Sequence, residues 1–196
     1  MRILRAAGRR PSPWKNGGGI TFEVASFPQA STIEDFGWRI SMAEVLDAGP
    51  FSEFPNVDRQ LAVLEGHLML EVQGRCVMDL RPNSPVVRFP GDIAARAYLP
   101  FGPVSDLNVM TRRGVFQSHI TRHSGLGSET LTLTNRNVTV LIALSEVDVI
   151  QQENRQKLAR RDAVVFEGFE RDSLLLREAA FGAGFQYARI EIMTVG

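Results

Sequence analysis

Short alternating runs separated by glycine and proline constrain this chain of 196 residues more than any other feature. Residues 20–27 and 38–46 alternate apolar and polar side chains, which is the pattern of a half-buried strand. Further strands are predicted at 60–65, 67–73, 75–80, 86–89, 93–99, 104–112, 115–121, 130–134, 138–144, 146–151, 163–167, 173–178 and 185–195. Only 151–161 has a helix-like composition, and it could equally form a polar hairpin or crossover. Many short strands, with turns about 8–12 residues apart, predict an all-β sandwich or barrel.

An internal repeat divides the chain into two similar halves. The segment 62–72 resembles 139–149, and each is followed about twenty residues later by an apolar strand beside an aspartate. Self-similarity of this kind indicates a duplicated β unit. We therefore expect two domains, at 1–120 and 121–196, with exchange of strands between the halves left open.

Composition excludes several classes of function. Lys plus Arg equals Asp plus Glu at 22 each, so the chain lacks the basic footprint of a nucleic-acid-binding protein. The single cysteine, Cys76, allows no internal disulfide, and its apolar neighbours predict a buried position. The N-terminus carries no apolar signal segment, and no apolar run is long enough to span a bilayer. We expect a cytoplasmic protein without membrane contact.

The segment 14–19 (Trp-Lys-Asn-Gly-Gly-Gly) combines an aromatic ring, a cation, an amide and three glycines. Consecutive glycines mark unusual backbone angles or close approach of another chain segment, and their amides can surround an anion. The alternative is a flexible linker before the first long strand. The segment matches neither the phosphate loop nor the dinucleotide fingerprint. We predict a fixed turn that delivers Lys15 and Asn16 to the mouth of a site in the first half.

Seven motifs together resemble the HutD/Ves family. The matching segments are Pro13–Gly19, Trp38–Val45, Gly49–Ser52, Phe54–Arg59, Val63–Gly66, Phe89–Asp92 and Asp106–Met110. The resemblance covers about residues 13–115 and implies a bicupin, with two cupin-like (RmlC-like jelly-roll) β-barrels in one chain. It also implies a role in bacterial histidine utilisation, in a family described as regulators or stress-linked proteins. One departure is Phe22, where the family tends to place a basic residue.

The resemblance also raises the question of a metal, because cupins commonly hold one with three histidines and a glutamate. His67 lies outside the expected position, and His119 and His123 have no carboxylate between them. We therefore expect a pocket without metal or cofactor.

Candidate ligand-binding residues are polar groups within or near the family motifs. They are Trp14, Lys15, Asn16, Thr21, Glu23, Arg39, Ser41, Arg59 and Asn108. Arg39 is solvated if its strand turns the small face outward, and grips a carboxylate if that face lines a cavity. Arg59 forms either a local salt bridge with Asp58 or Asp92 or a second contact to an anion.

Three functions remain open at this point. The first is binding of a small carboxylate of the urocanate or N-formylglutamate class, in order to regulate or sense histidine utilisation. The second is a metal-independent enzyme, similar to cupin isomerases or epimerases, with Lys15 and Glu23 as an acid–base pair. The third is a structural or interaction module. No catalytic residue is assigned, the expected partner is a small anion, and a homodimer is left open.

Overall fold

The computed structural model describes residues 1–15, 17–134, 137–167 and 171–196. The strands are β1 (Arg2–Leu4), β2 (Pro11–Pro13), β3 (Gly19–Phe27), β4 (Trp38–Val45), β5 (Gly49–Pro50), β6 (Val57–Glu65), β7 (Leu68–Val72), β8 (Met78–Leu80), β9 (Val87–Pro90), β10 (Ala95–Tyr98), β11 (Val104–Arg112), β12 (Phe116–Gly125), β13 (Ser128–Thr134), β14 (Asn137–Ala143), β15 (Val147–Gln151), β16 (Asn154–Leu158), β17 (Ala163–Phe166), β18 (Arg171–Glu178) and β19 (Phe185–Thr194).

The predicted all-β class is confirmed. The helical structure of the described residues amounts to one short 3₁₀ turn at Ala6–Gly8. The ambiguous stretch 151–161 begins with a polar hairpin of β15 and β16, in which Gln151 pairs with Asn154. Strands β1, β2 and β5 were not predicted, because two or three residues are too few to show alternation. Among the described residues, no helix is long and apolar enough to cross a membrane.

The chain divides into two compact units. The first unit consists of Arg9–Ser118 with Val195–Gly196, and the second consists of Met1–Gly8 with His119–Thr194. Residues 1–8 join the second unit because β1 pairs with β17, at the edge of a sheet built from the later half of the chain.

The first unit is a sandwich of two open sheets. Its six-stranded sheet has the order β2-β3-β4-β11-β6-β9, and its four-stranded sheet has the order β5-β10-β7-β8. Apolar side chains from both sheets, such as Val45, Leu61 and Leu70, form one cluster between the layers. We call the space between these two sheets the interior of the first unit.

The second unit repeats this arrangement. Its sheets have the orders β1-β17-β14-β19-β12 and β13-β18-β15-β16. Strands β12, β19, β14 and β17 therefore follow the same order as β4, β11, β6 and β9. Each sheet is an open layer with two edge strands, so the units are not the closed barrels that the resemblance implies.

The prediction that Cys76 is buried is wrong. The residue is exposed. It lies in the turn between β7 and β8, two residues after Gly74, whose positive φ of 77° reverses the chain. The position of Cys76 in this turn, and not its apolar neighbours in sequence, determines that its side chain is exposed.

Candidate ligand site

The glycine-rich segment forms a fixed turn at the start of β3. The Gly17 amide donates to the Trp14 carbonyl at 3.0 Å, and the Trp14 amide donates to the Gly19 carbonyl at 2.9 Å. Gly17 has a φ of 75°, which favours glycine. At Gly19, a Cβ atom would lie 2.8 Å from the Glu44 carbonyl oxygen and 3.0 Å from the Trp14 ring. Two of the three glycines are thus explained by backbone angle and close packing rather than by a flexible linker.

This turn points Trp14 toward the interior of the first unit. The indole Nε1 donates to Thr21 Oγ1 at 2.8 Å, and the ring packs against the apolar cluster, 6.1 Å from the Phe51 ring. Lys15 is exposed. Asn16, the other polar residue predicted to reach the site, lies outside the described residues.

Two rows of side chains cross the interior face of the six-stranded sheet. The strand register aligns Thr21, Ala43, Asp106 and Val63 in one row and Glu23, Ser41, Asn108 and Leu61 in the next. Ala43, Leu61 and Val63 belong to the apolar cluster, and residues opposite each other on paired strands share a face. Ser41, Asp106 and Asn108 therefore point into the interior of the first unit.

Arg39 lies on this interior face but already has a carboxylate partner. Its Nε donates to Glu23 Oε2 at 2.8 Å, and Ser26 Oγ donates to Glu23 Oε1 at 2.9 Å. The Arg39 side chain is 14% exposed and that of Glu23 is 38% exposed. The sequence left open whether the small face of this strand is turned outward or lines a cavity. It lines the interior, but the Arg39 guanidinium binds Glu23.

Arg59 is a buried cation with little hydrogen bonding. Its guanidinium carbon lies 5.1, 5.7 and 5.0 Å from the ring centres of Phe51, Phe54 and Phe89. Nη1 donates to the Ser52 carbonyl at 3.3 Å, whereas Nε has no hydrogen-bond partner among the described residues. Burial lowers the pKa of Arg59 to about 10, although the charge of Asp106 opposes this shift. Cation–π contacts with these rings offset part of the cost of removing the guanidinium from water.

The predicted salt bridge from Arg59 to Asp58 or Asp92 is wrong. Arg113 binds both carboxylates, with Nε 2.8 Å from Asp58 and Nη1 2.8 Å from Asp92. Neighbouring residues on a strand point to opposite faces, so Asp58 and Arg59 are separated by the sheet. The two ion pairs of Arg113 connect β6 to the loop after β9.

Asp106 is the residue that the sequence analysis missed. It is fully buried, and neither carboxylate oxygen has a hydrogen-bond partner in the described part of the chain. Burial raises the pKa of Asp106 to about 7, although the Arg59 charge favours the ionised form. The two-residue spacing from Asn108 could have revealed it, because both residues must share one face of β11.

Asn108 completes a small group that we call the interior polar set: Arg59, Asp106 and Asn108. The Asn108 side chain is buried, and its Oδ1 lacks a partner among the described residues. Buried polar atoms in folded proteins nearly always have a hydrogen-bond partner, so an unpaired group of this kind indicates a missing ligand, ion or water. The deeply buried atoms of this set without a partner among the described residues are three acceptor oxygens and the Nε–H donor of the guanidinium.

The interior polar set does not suit a metal ion. Among the described residues, no group of three or more His, Cys, Asp or Glu side chains lies close enough to hold one. His67 contacts Asp79 at 2.9 Å and stacks on Phe101, and His123 stacks on Tyr187. A guanidinium near the single buried carboxylate would also repel a divalent cation. The expectation of a metal-free pocket stays a prediction.

A separate groove of about 300 Å³ lies beside β6 and β9. It is lined by Asp58, Arg59, Gln60, Arg75, Arg88, Phe89, Pro90, Thr111, Gln117 and Ser118. Gln60 alternates with Arg59 and Leu61, so its side chain points away from the interior. Its amide donates to Ser118 Oγ at 2.7 Å. Asp58, Gln60 and Arg75 in its lining already have partners, so the groove is a weaker candidate than the interior polar set.

Comparison with known proteins supports one family. A family model described as HutD matches residues 6–182. Protein Ves of Citrobacter koseri is 43% identical over 102 residues, a match that spans 51% of this chain and 52% of that protein. The uncharacterized 21.2 kDa protein in the hutC 3′ region of Pseudomonas putida is 29% identical over 174 residues, covering 86% of this chain and 87% of that protein.

Solved structures agree with these sequence matches. HutD from Pseudomonas fluorescens SBW25 superposes with a TM-score of 0.81 at 27% identity, covering 100% of this chain and 99% of that chain. The cupin-like fold expected from the resemblance is confirmed by such neighbours.

Proposed function

The chain belongs to the HutD family, which is associated with the histidine-utilisation region, and on that premise we propose that its first unit binds a small carboxylate. The candidate ligands are intermediates of histidine breakdown of the urocanate or N-formylglutamate class. Binding would let the protein sense or regulate this breakdown, because occupancy would follow the concentration of the intermediate.

One observation carries this proposal: the guanidinium of Arg59 is buried among three phenyl rings, and its Nε has no hydrogen-bond partner among the described residues. An isolated buried cation is costly, and a carboxylate is the partner whose geometry fits a guanidinium best. Asp106 lowers the cost through its charge, but it forms no hydrogen bond to Arg59. The aromatic surroundings add flat apolar walls of the kind that line small-molecule sites.

The residues proposed to contact or enclose the ligand lie on the interior face. Arg59, Asp106 and Asn108 supply unpaired atoms, and Ser41 and Trp14 lie in or beside the same rows. Arg39 and Glu23 are proposed to hold each other in position near the rim, since their side chains form an ion pair. Lys15 is left out because its side chain is exposed.

A thermal-shift screen of histidine-breakdown intermediates tests the proposal. A ligand at 100 times its Kd should stabilise the protein by about 2.7 kcal/mol. Arg59→Gln should abolish this shift, whereas Arg10→Gln, which removes an exposed arginine of the same unit, should retain it. The proposal fails if folded protein shows no shift with any intermediate, or if Arg59→Gln binds as well as the parent.

A second function is favoured by Asp106. Proton transfer needs a group that titrates near neutral pH, and burial raises the pKa of Asp106 to about 7. The earlier pair of Lys15 and Glu23 is less suitable, since Lys15 is exposed and Glu23 is bound to Arg39. A metal-independent isomerase-like enzyme would convert a bound intermediate, and Asp106→Asn would then bind it without turnover. Incubation with stoichiometric protein, followed by mass and proton-exchange analysis of the acid, distinguishes this case from binding alone.

A further inference from the structure

The interior polar set offers unpaired acceptors to a ligand as well as donors. Both oxygens of Asp106 and Oδ1 of Asn108 are deeply buried acceptors without a hydrogen-bond partner among the described residues, and Arg59 Nε is a deeply buried donor in the same situation. A bare carboxylate would satisfy Arg59 and leave the three acceptor oxygens unmatched. Above about pH 7, where Asp106 is ionised, it would also bring a second negative charge toward Asp106 without any group that bonds to it.

We propose that the site selects carboxylates that also carry an N–H group, and that Asp106 accepts the hydrogen bond from this N–H. The inference rests on the proposed binding of a carboxylate in the first unit. Arg59 binds the carboxylate, Asp106 accepts the hydrogen bond from the N–H group, and Asn108 Oδ1 provides a second acceptor beside Asp106. The ligand class is therefore an acid with an imidazole, amide or amine nitrogen, rather than an acid of carbon and oxygen alone.

The strand geometry supports this division of roles. Asp106 and Asn108 are two residues apart on β11, so their side chains leave the same face about 7 Å apart. Arg59 reaches the same interior from β6, where Met110 is its partner across the strands. Because Asp106 and Arg59 interact electrostatically without a hydrogen bond between them, a ligand with both groups can bridge them.

Burial makes the selection strong. Asp106 is 0% exposed, Arg59 5% and Asn108 7%, so water competes poorly with a ligand at these atoms. A site that holds a buried polar group for one ligand rejects an analogue that leaves this group unpaired. The interior polar set is thus expected to reject close analogues that keep the shape of the ligand but lack its N–H.

Matched pairs of acids provide the test. Kd is measured by calorimetry for urocanate against cinnamate, in which phenyl replaces imidazole, and for N-formylglutamate against its N-methyl derivative. In whichever pair binds, the acid with the N–H should bind at least about tenfold tighter. Asp106→Leu should reduce this ratio to about one by weakening the N–H acid, while the exposed Asp47→Leu keeps it.

The outcomes separate the two proposals. If both members of a pair bind equally and Asp106→Leu changes neither Kd, selection by Asp106 is refuted and carboxylate binding stands. If no acid binds to folded protein, both proposals fall. If Asp106→Leu does not fold, Asp106→Val replaces it, since it is smaller and likewise removes both acceptor oxygens, and an unchanged ratio in that variant also refutes the inference.

Discussion

The two units have the same strand order but treat their buried charges differently. In the second unit, Asp162 receives hydrogen bonds from the Ala6 amide and Arg5 Nη1, both at 2.7 Å, and from the Ala159 amide at 3.1 Å. In the first unit, Asp106 is more deeply buried and neither of its oxygens has a described partner. In the same strand order, a buried aspartate can therefore either hydrogen-bond other segments of the chain or remain available to bind another molecule.

The second unit also contains a buried atom without a partner among the described residues, Arg189 Nε, but the same guanidinium donates through Nη2 to Glu191 at 2.9 Å. Burial and the neighbouring Glu129 raise the pKa of Tyr187. What distinguishes the first unit is that a buried cation and a buried acid both remain without a hydrogen-bonded charged partner on the same interior surface.

The largest expected effect is the loss of Asp162. Asp162→Ala removes three hydrogen bonds and leaves two backbone amides without their acceptor, while Arg5 keeps only the Lys157 carbonyl. Leaving a buried donor without its acceptor costs about 1–3 kcal/mol, so urea denaturation should show a loss near the upper end of that range. The matched change in the first unit, Asp106→Ala, should cost less or even stabilise, and equal losses would contradict the comparison.

The two aspartates should also respond to pH in opposite directions. Burial alone would raise the pKa of Asp162, but the Ala6 amide, Arg5 and the Ala159 amide outweigh it and lower that pKa. Its stabilisation is therefore present above the unfolded pKa and is lost as pH falls through the folded value. For Asp106, the folded protein keeps a proton between pH 3.8 and about 7 that the unfolded chain has released. Unfolding free energy consequently falls as pH rises through this window.

Asp106→Asn should remove that second dependence. The unfolding free energy of Asp106→Asn minus that of the parent should therefore increase by about 2–3 kcal/mol when the pH is raised from 5 to 8. Urea denaturation of both proteins at the two pH values measures the change. Asp47→Asn, at an exposed position of the same unit, is the control and should show no such trend. A pH-independent difference for Asp106→Asn would mean that Asp106 is ionised throughout this range.

A third comparison concerns glycines that lie against aromatic rings. In the first unit, a Cβ at Gly19 would lie 3.0 Å from the Trp14 ring, and in the second a Cβ at Gly125 would lie 2.5 Å from Phe185 Cζ. Overpacking of this kind costs about 1–3 kcal/mol. Gly19→Ala also meets the Glu44 carbonyl, so it should weaken ligand binding by displacing Trp14 as well as lower Tm. Gly125→Ala should lower Tm alone, and an equal effect of both on Kd would refute the assignment of the site to the first unit.

The sequence was informative wherever alternation was long. It predicted β11 at 104–112, as observed, and it placed Arg39 and Ser41 together on the small face of β4. It did not find the partner of Arg39 or the neighbours of Arg59, because ion pairs such as Arg39–Glu23 depend on register between strands. Asp106 was missed because it was treated only as part of a family motif. Its two-residue spacing from Asn108, which places both side chains on one face of β11, was not used.

The smallest expected effect is at Lys15, which the sequence analysis placed at the mouth of the site. Its side chain is exposed on the turn that directs Trp14 inward, so Lys15→Ala should change stability by less than about 0.5 kcal/mol. Carboxylate affinity should likewise change less than about threefold at 150 mM salt, because a solvent-exposed charge is screened over about 8 Å. Isothermal calorimetry of Lys15→Ala beside Arg59→Gln measures both effects under the same conditions. A tenfold loss in Lys15→Ala would mean that the turn carries the cation to the ligand, and would move the site from the buried face of β11 to the rim beside Trp14.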